Sequence, residues 1–118
     1  MEIKITIDEV APMLNGSNGL KNMHFRNYMK LRDKWAWLIR SATTAKFKGK
    51  VRIEYVRASV SPPDWDNISA SFKPIGDALV SNGVIEDDNP TIVTEFVPKW
   101  EKAKNNNSLY TIITITQP

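Results

Sequence analysis

The feature that most constrains this chain is a change of hydrophobic period along its first half. In "EIKITID", Ile3, Ile5 and Ile7 alternate with polar residues, and in "KVRIEYVR", Val51, Ile53 and Tyr55 alternate with Arg52 and Glu54. Alternation of period 2 marks a strand that buries one face. Between these stretches, from about Met23 to Ala45, no Gly or Pro intervenes, and Tyr28, Leu31, Trp35, Leu38 and Ala42 recur at three- and four-residue steps. That spacing gives the buried stripe of an amphipathic helix. A strand, a long helix and a second strand therefore open the fold, with the first loop, "APMLNGSNGLKN", too long and too rich in Gly and Asn to be a hairpin turn.

After a turn around Gly49 the second strand ends before Pro62. "NISASFKPIGDALVSNG" reads as a second helix that stops at Asn82-Gly83, where Gly is the favoured residue beyond a helix end. "TIVTEFV" and "SLYTIITIT" are rich in β-branched and aromatic residues and predict two final strands, with "KWEKAKNNN" as a hairpin connection. The order is β-α-β-α-β-β, and 118 residues suffice for one domain, spanning 1–118. The expected class is α+β, a mixed sheet with helices packed on it.

Composition removes whole classes of chemistry. The chain has no cysteine, which excludes disulfides, zinc-thiolate clusters and thiol catalysis. No apolar run approaches the roughly 20 residues needed to span a bilayer, and the N-terminus alternates instead of forming a signal-peptide core. A soluble, cytoplasmic protein with no membrane partner is expected. Net charge is only +3, but residues 21–57 carry eleven Lys/Arg against Asp33 and Glu54, whereas residues 58–98 set seven acids against Lys73 alone. The basic block offers a phosphate-tracking surface through Arg26, Lys30, Lys46, Lys48, Lys50, Arg52 and Arg57. Two solvated faces that partly neutralise each other explain the same asymmetry.

"PPDWDN" places Asp64 and Asp66 just past a strand end, where a turn lets both carboxylates converge as hard oxygen ligands for a divalent cation. Two such charges about 4 Å apart repel by roughly 4 kcal/mol at a surface-like dielectric, so a tight cluster needs a cation, a lysine or a proton. Asp87 and Asp88 pose the same problem, although a straight helix of 15 residues between the pairs would hold them about 22 Å apart. Ordinary loop acids remain the alternative. An EF-hand loop beginning at Asp64 fails because Ile68 and Ser69 stand at its fifth and sixth positions. His24 is the only histidine, and packing at the surface or in the core is its expected role. Neither GxGxxG nor GxxxxGK[ST] occurs.

Taken as one unit, "DWDNISASFKPIGDALVSNGVIEDD", residues 64–88, resembles the RusA family of Holliday-junction resolvases, found widely in bacteriophages and prophages. The likeness lies in the order of parts: D-x-D-N, a helix carrying Lys and "DAL", Gly, a short apolar step and paired acids. The resemblance implies a homodimer that binds four-way junction DNA and nicks two strands symmetrically. It implies a Mg²⁺ site, with Mn²⁺ as a substitute, at Asp64, Asp66 and Asp88, a catalytic role for Lys73, and Asp87 as an auxiliary acid. A phage or prophage product acting in the bacterial cytoplasm is the corresponding expectation. The other reading of the same parts is a non-catalytic dimer that binds branched DNA.

Two departures from the family pattern bear on geometry. Lys73 stands seven residues after Asp66 and Asp77 eleven after it, three more than members often show. Seven and eleven are near two and three helical turns, so the three residues would share one face of a continuous helix, with Pro74 kinking its interior. The family's Pro-Pro-Ser-x-Asn element after the first strand is represented only by Pro12, Asn15 and Asn18.

Overall fold

The alternating segments form strands that share one hydrophobic face. The structure, a computed structural model, describes residues 1–16 and 18–118. β1 (Glu2–Ile7) leads through the long loop and a 3-10 turn to α1 (Phe25–Ala42), followed by β2 (Val51–Ser59). α2 (Trp65–Ser71) and α3 (Lys73–Ser81) come next, then β3 (Val93–Lys102) and β4 (Tyr110–Thr116). Among the described residues the strands make one mixed four-stranded sheet in the order β1-β4-β2-β3. β4 runs antiparallel to β1 and β2, and β2 runs parallel to β3. The domain is of the α+β class.

Register puts Ile5 and Tyr55 on either side of Ile113, and Ile3 and Ile53 on either side of Ile115, with Phe96 beside Ile53. These residues form the face that α1 and α3 cover, together with Trp35, Ile39, Ile75 and Leu79. Burying each such side chain stabilises the fold by about 1.5–3 kcal/mol. The opposite sheet face carries Lys4, Thr6, Thr114, Glu54 and Lys99, where Glu54 pairs with Lys99 at 2.8 Å and Arg52 pairs with Glu95 at 2.8 Å.

Three expectations are corrected. The last two strands do not form a hairpin, because β2 lies between them and β3 bonds to β2 alone. The segment "KWEK" belongs to β3, and residues 103–109 carry the chain across two strand spacings, about 10 Å. β3 is an edge strand whose Glu95, Lys99 and Glu101 reach over the sheet face to Arg52, Glu54 and Tyr110. On α1 the fully buried residues are Trp35 and Ile39, one turn apart, while Ala42 is exposed at the helix end. The second helix is two helices. Phe72 closes α2 and opens α3, and Pro74 falls in the first turn of α3, where its missing N–H leaves no hydrogen bond unmade.

His24 caps α1: its Nδ1 accepts the Arg26 N–H at 3.1 Å, which satisfies one of the helix's unpaired N-terminal donors. At the other end of the helical layer, α3 stops at Asn82, and Gly83 adopts φ +70°. The Gly83 N–H bonds the Val80 carbonyl and the Val84 N–H bonds the Leu79 carbonyl, both at 2.9 Å. The chain then turns back along α3 and drives Val84 and Ile85 into the core.

Candidate functional site

That return brings Asp88 beside the middle of α3. A Cβ on Gly76 would lie 3.4 Å from Asp88 Oδ2 and 3.2 Å from the Phe72 ring, so the absent side chain is what admits both. The two halves of the acidic motif are therefore not held apart by a straight helix. The break at Phe72 shortens the first segment, and the turn at Gly83 folds the second back.

Lys73 opens α3 and donates to Asp77 Oδ1 at 2.9 Å. The other oxygen of Asp77 accepts the Tyr28 hydroxyl of α1 at 2.6 Å. The lysine's pKa is raised, first by this bond to Asp77, so Lys73 is charged at neutral pH. Burial and then the bond to Asp77 hold the Tyr28 phenol well above its usual range, so it acts as a neutral donor.

A cavity of about 310 Å³ joins the pieces: its floor includes Phe72, Phe96 and Val93, and Ser69, Lys73 and Asp88 stand around it. The Phe72 and Phe96 rings lie 4.8 Å apart, with Tyr55 5.1 Å from Phe72. On the far side of Asp88, a second cavity is lined by Asp77 and by Arg32 of α1. Asp88 thus has Lys73 beside one cavity and Arg32 beside the other.

Asp64 and Asp66 are exposed at the start of α2, on either side of the exposed Trp65. Asp64 occupies the N-cap position without a side-chain capping bond, and Asp66 Oδ1 accepts the Asn67 N–H at 3.0 Å. Asn67 Oδ1 accepts the Asn15 N–H at 3.2 Å, tying the long first loop to the D-x-D-N segment. Asp87 Oδ1 accepts the Asp88 N–H at 2.7 Å and so shapes the turn that presents Asp88. Among the described residues no three His, Cys, Asp or Glu side chains gather closely enough to hold a metal ion together. The donor chemistry nonetheless suits Mg²⁺, which takes hard oxygens and is usually held by one or two carboxylates, with waters and substrate phosphate completing its shell.

The basic residues divide by location. Arg26 and Lys30 are exposed on α1, and Lys46, Lys48 and Lys50 are exposed on the connection to β2, where Lys46 bonds the Asn82 carbonyl at 2.9 Å. Arg52 stands on the sheet face opposite the helices, paired with Glu95. Arg57 corrects the expectation of a surface cation. It is 6% exposed and donates to the Ala11 carbonyl, because position 57 shares the helix-covered face of β2 with Ile53 and Tyr55.

Sequence reasoning did not find the positioning roles of Tyr28, Asp77 and Gly76. The Lys73-to-Asp77 spacing of four was the available signal for one of them. Tyr28 lay on the helix stripe and so read as core. No family model matches the chain, and no curated protein matches it. Among the described residues no helix is long and apolar enough to cross a membrane.

Proposed function

We propose that the protein is a Mg²⁺-dependent, structure-specific endodeoxyribonuclease of the RusA type, acting as a homodimer that resolves Holliday junctions by paired symmetric nicks. The observation that supports this most is the return of Asp88 to α3, where it borders one cavity with Lys73 and with Ser69 of the D-x-D-N helix. Asp64, Asp66 and Asp88 would hold the metal. Bound Mg²⁺ supplies Lewis-acid polarisation of the phosphate and a water of lowered pKa. Lys73, steered by Asp77, would donate to an oxygen that gains charge as the phosphodiester bond breaks. The exposed cations of α1 and of the connection to β2 would track backbone phosphates, and selectivity for junctions would come from shape and two-fold symmetry.

A second reading, a dimer that binds branched DNA without cutting it, is favoured by the absence of a gathered three-acid group among the described residues. Wild type and Asp66→Asn, incubated with a labelled four-way junction and a matched linear duplex, with Mg²⁺ or chelator, separate the two. Paired nicks in the junction alone, dependent on Mg²⁺ and lost in the variant, are expected. Tight junction binding with no nick from wild type would replace the first reading by the second, and no junction binding would refute both.

A further inference from the structure

Arg57 is a buried cation with no counter-ion. The residue is 6% exposed, its Nη1 donates to the Ala11 carbonyl, its guanidinium lies beside the neutral Tyr55 hydroxyl, and its Nε–H meets no acceptor. Among the described residues no carboxylate stands within ion-pair distance of it. A lysine in such a place could shed its proton, but a guanidinium remains charged and offers five N–H donors. A buried charge of this kind calls for an opposite charge brought from outside.

The surroundings provide room for one. Arg57 lines a cavity of about 420 Å³ whose wall is the first loop, through Ala11, Pro12, Met13, Asn15 and Gly19. No acidic side chain is among the described residues lining it. The wall has a fixed shape: the Met13 carbonyl accepts the Leu20 N–H at 2.8 Å, and the Leu14 carbonyl accepts the Lys21 N–H at 3.0 Å. Gly19 packs so closely that a Cβ there would fall 2.4 Å from the Asn15 carbonyl oxygen.

We propose that this cavity is an anion socket in which Arg57 takes a single phosphate group as its counter-ion. The guanidinium fork matches two phosphate oxygens, which makes phosphate a better occupant than a spherical anion. The loop that walls the socket also bonds Asn67 through the Asn15 N–H, so filling the socket fixes the approach to the D-x-D-N segment. The phosphate comes either from a nucleic-acid backbone or from the free ion. The socket requires no nuclease activity, and its test does not use any.

Thermal melting of wild type and Arg57→Met in inorganic phosphate, against chloride at matched ionic strength, tests it. A ligand that binds only the folded state raises Tm, by about 9 °C here at about fifty times its dissociation constant. That rise is expected in wild type and absent in Arg57→Met. A short phosphodiester oligonucleotide that displaces phosphate, followed by ³¹P NMR, would identify the backbone as the source, with an uncharged methylphosphonate oligonucleotide as control. Displacement by neither oligonucleotide would assign the socket to the free ion. A wild-type Tm that responds to phosphate no more than to chloride overturns the proposal, as does an equal response from Arg57→Met. Should Arg57→Met not fold, Arg57→Lys takes its place, with a diminished response expected from the lost fork.

Discussion

Gly76→Ala tests whether the Phe72 ring packs closely against α3 at position 76. In a helix interior the change from Gly to Ala is worth about 0.8–1.0 kcal/mol of added stability. Here the new methyl would meet the Phe72 ring at 3.2 Å, inside the roughly 3.5–4.0 Å preferred between carbons. The ring has little room to retreat, since Phe96 stands 4.8 Å away and Tyr55 5.1 Å away, centroid to centroid. Over-packing of this kind typically costs about 1–3 kcal/mol. The two effects leave a net loss of about 0–2 kcal/mol, with Tm unchanged or lowered by up to about 8 °C. The Asp88 carboxylate, at 3.4 Å, is in ordinary contact and exposed, so its displacement affects stability little. Urea or thermal unfolding of the variant beside wild type measures the balance. A gain equal to the full helix-propensity term would mean that the Phe72 ring does not press on position 76, which would refute its close packing against α3.

If the proposed metal-dependent cleavage holds, Asp88→Asn and Asp66→Asn should each slow it by more than about a hundredfold, because loss of a metal ligand removes several kcal/mol of transition-state stabilisation. Electrophoretic binding of the same junction should change by less than about threefold in either variant. Tyr28→Phe should lower stability at neutral pH by about 1 kcal/mol through the lost bond to Asp77. Tyr28, Tyr55 and Lys73 all have pKa values raised by folding. Their contribution is complete below about pH 10 and is lost as pH rises above it, since the folded state then holds protons that the unfolded chain releases. Unfolding followed from pH 8 to 11 should show stability falling above pH 10, less steeply in Tyr28→Phe. An unchanged slope would remove Tyr28 from the proton balance.

Strand and helix positions were legible because alternation and three- or four-residue spacing follow from how side chains leave the backbone. β1, β2 and α1 lie where Ile3 to Ile7, Val51 to Tyr55 and Leu31 to Leu38 put them. Partnership between strands has no such local signature. Nothing in "SLYTIITIT" says that it inserts between β1 and β2, and proximity in sequence favoured a hairpin that the sheet does not contain. Burial of Arg57 escaped notice for a related reason. Position 57 continues the inward set Val51, Ile53 and Tyr55, but a charged residue carries no hydrophobic signal that it faces inward. At the site, the acids and Lys73 could be named from their order, but Tyr28, 49 residues from Asp77, is joined to it only by packing of α1 against α3.

The three extra residues between D-x-D-N and Lys73 show how the fold absorbs a change of spacing. In one continuous helix they would have kept Lys73 on the face of Asp66 and set Pro74 where a backbone donor is needed. The break at Phe72 removes that conflict, because Pro74 enters a first turn whose N–H groups lack helical partners in any case. The consequence for Lys73 is a change of reference: its position is set by α3 and by Asp77, four residues on, and no longer by its distance from Asp66. Asp88 lies beside the same helix at Gly76. Lys73 and Asp77 are therefore carried by α3, with Asp88 lying against it, whereas Asp64 and Asp66 belong to α2 and, through Asn67 and Asn15, to the first loop.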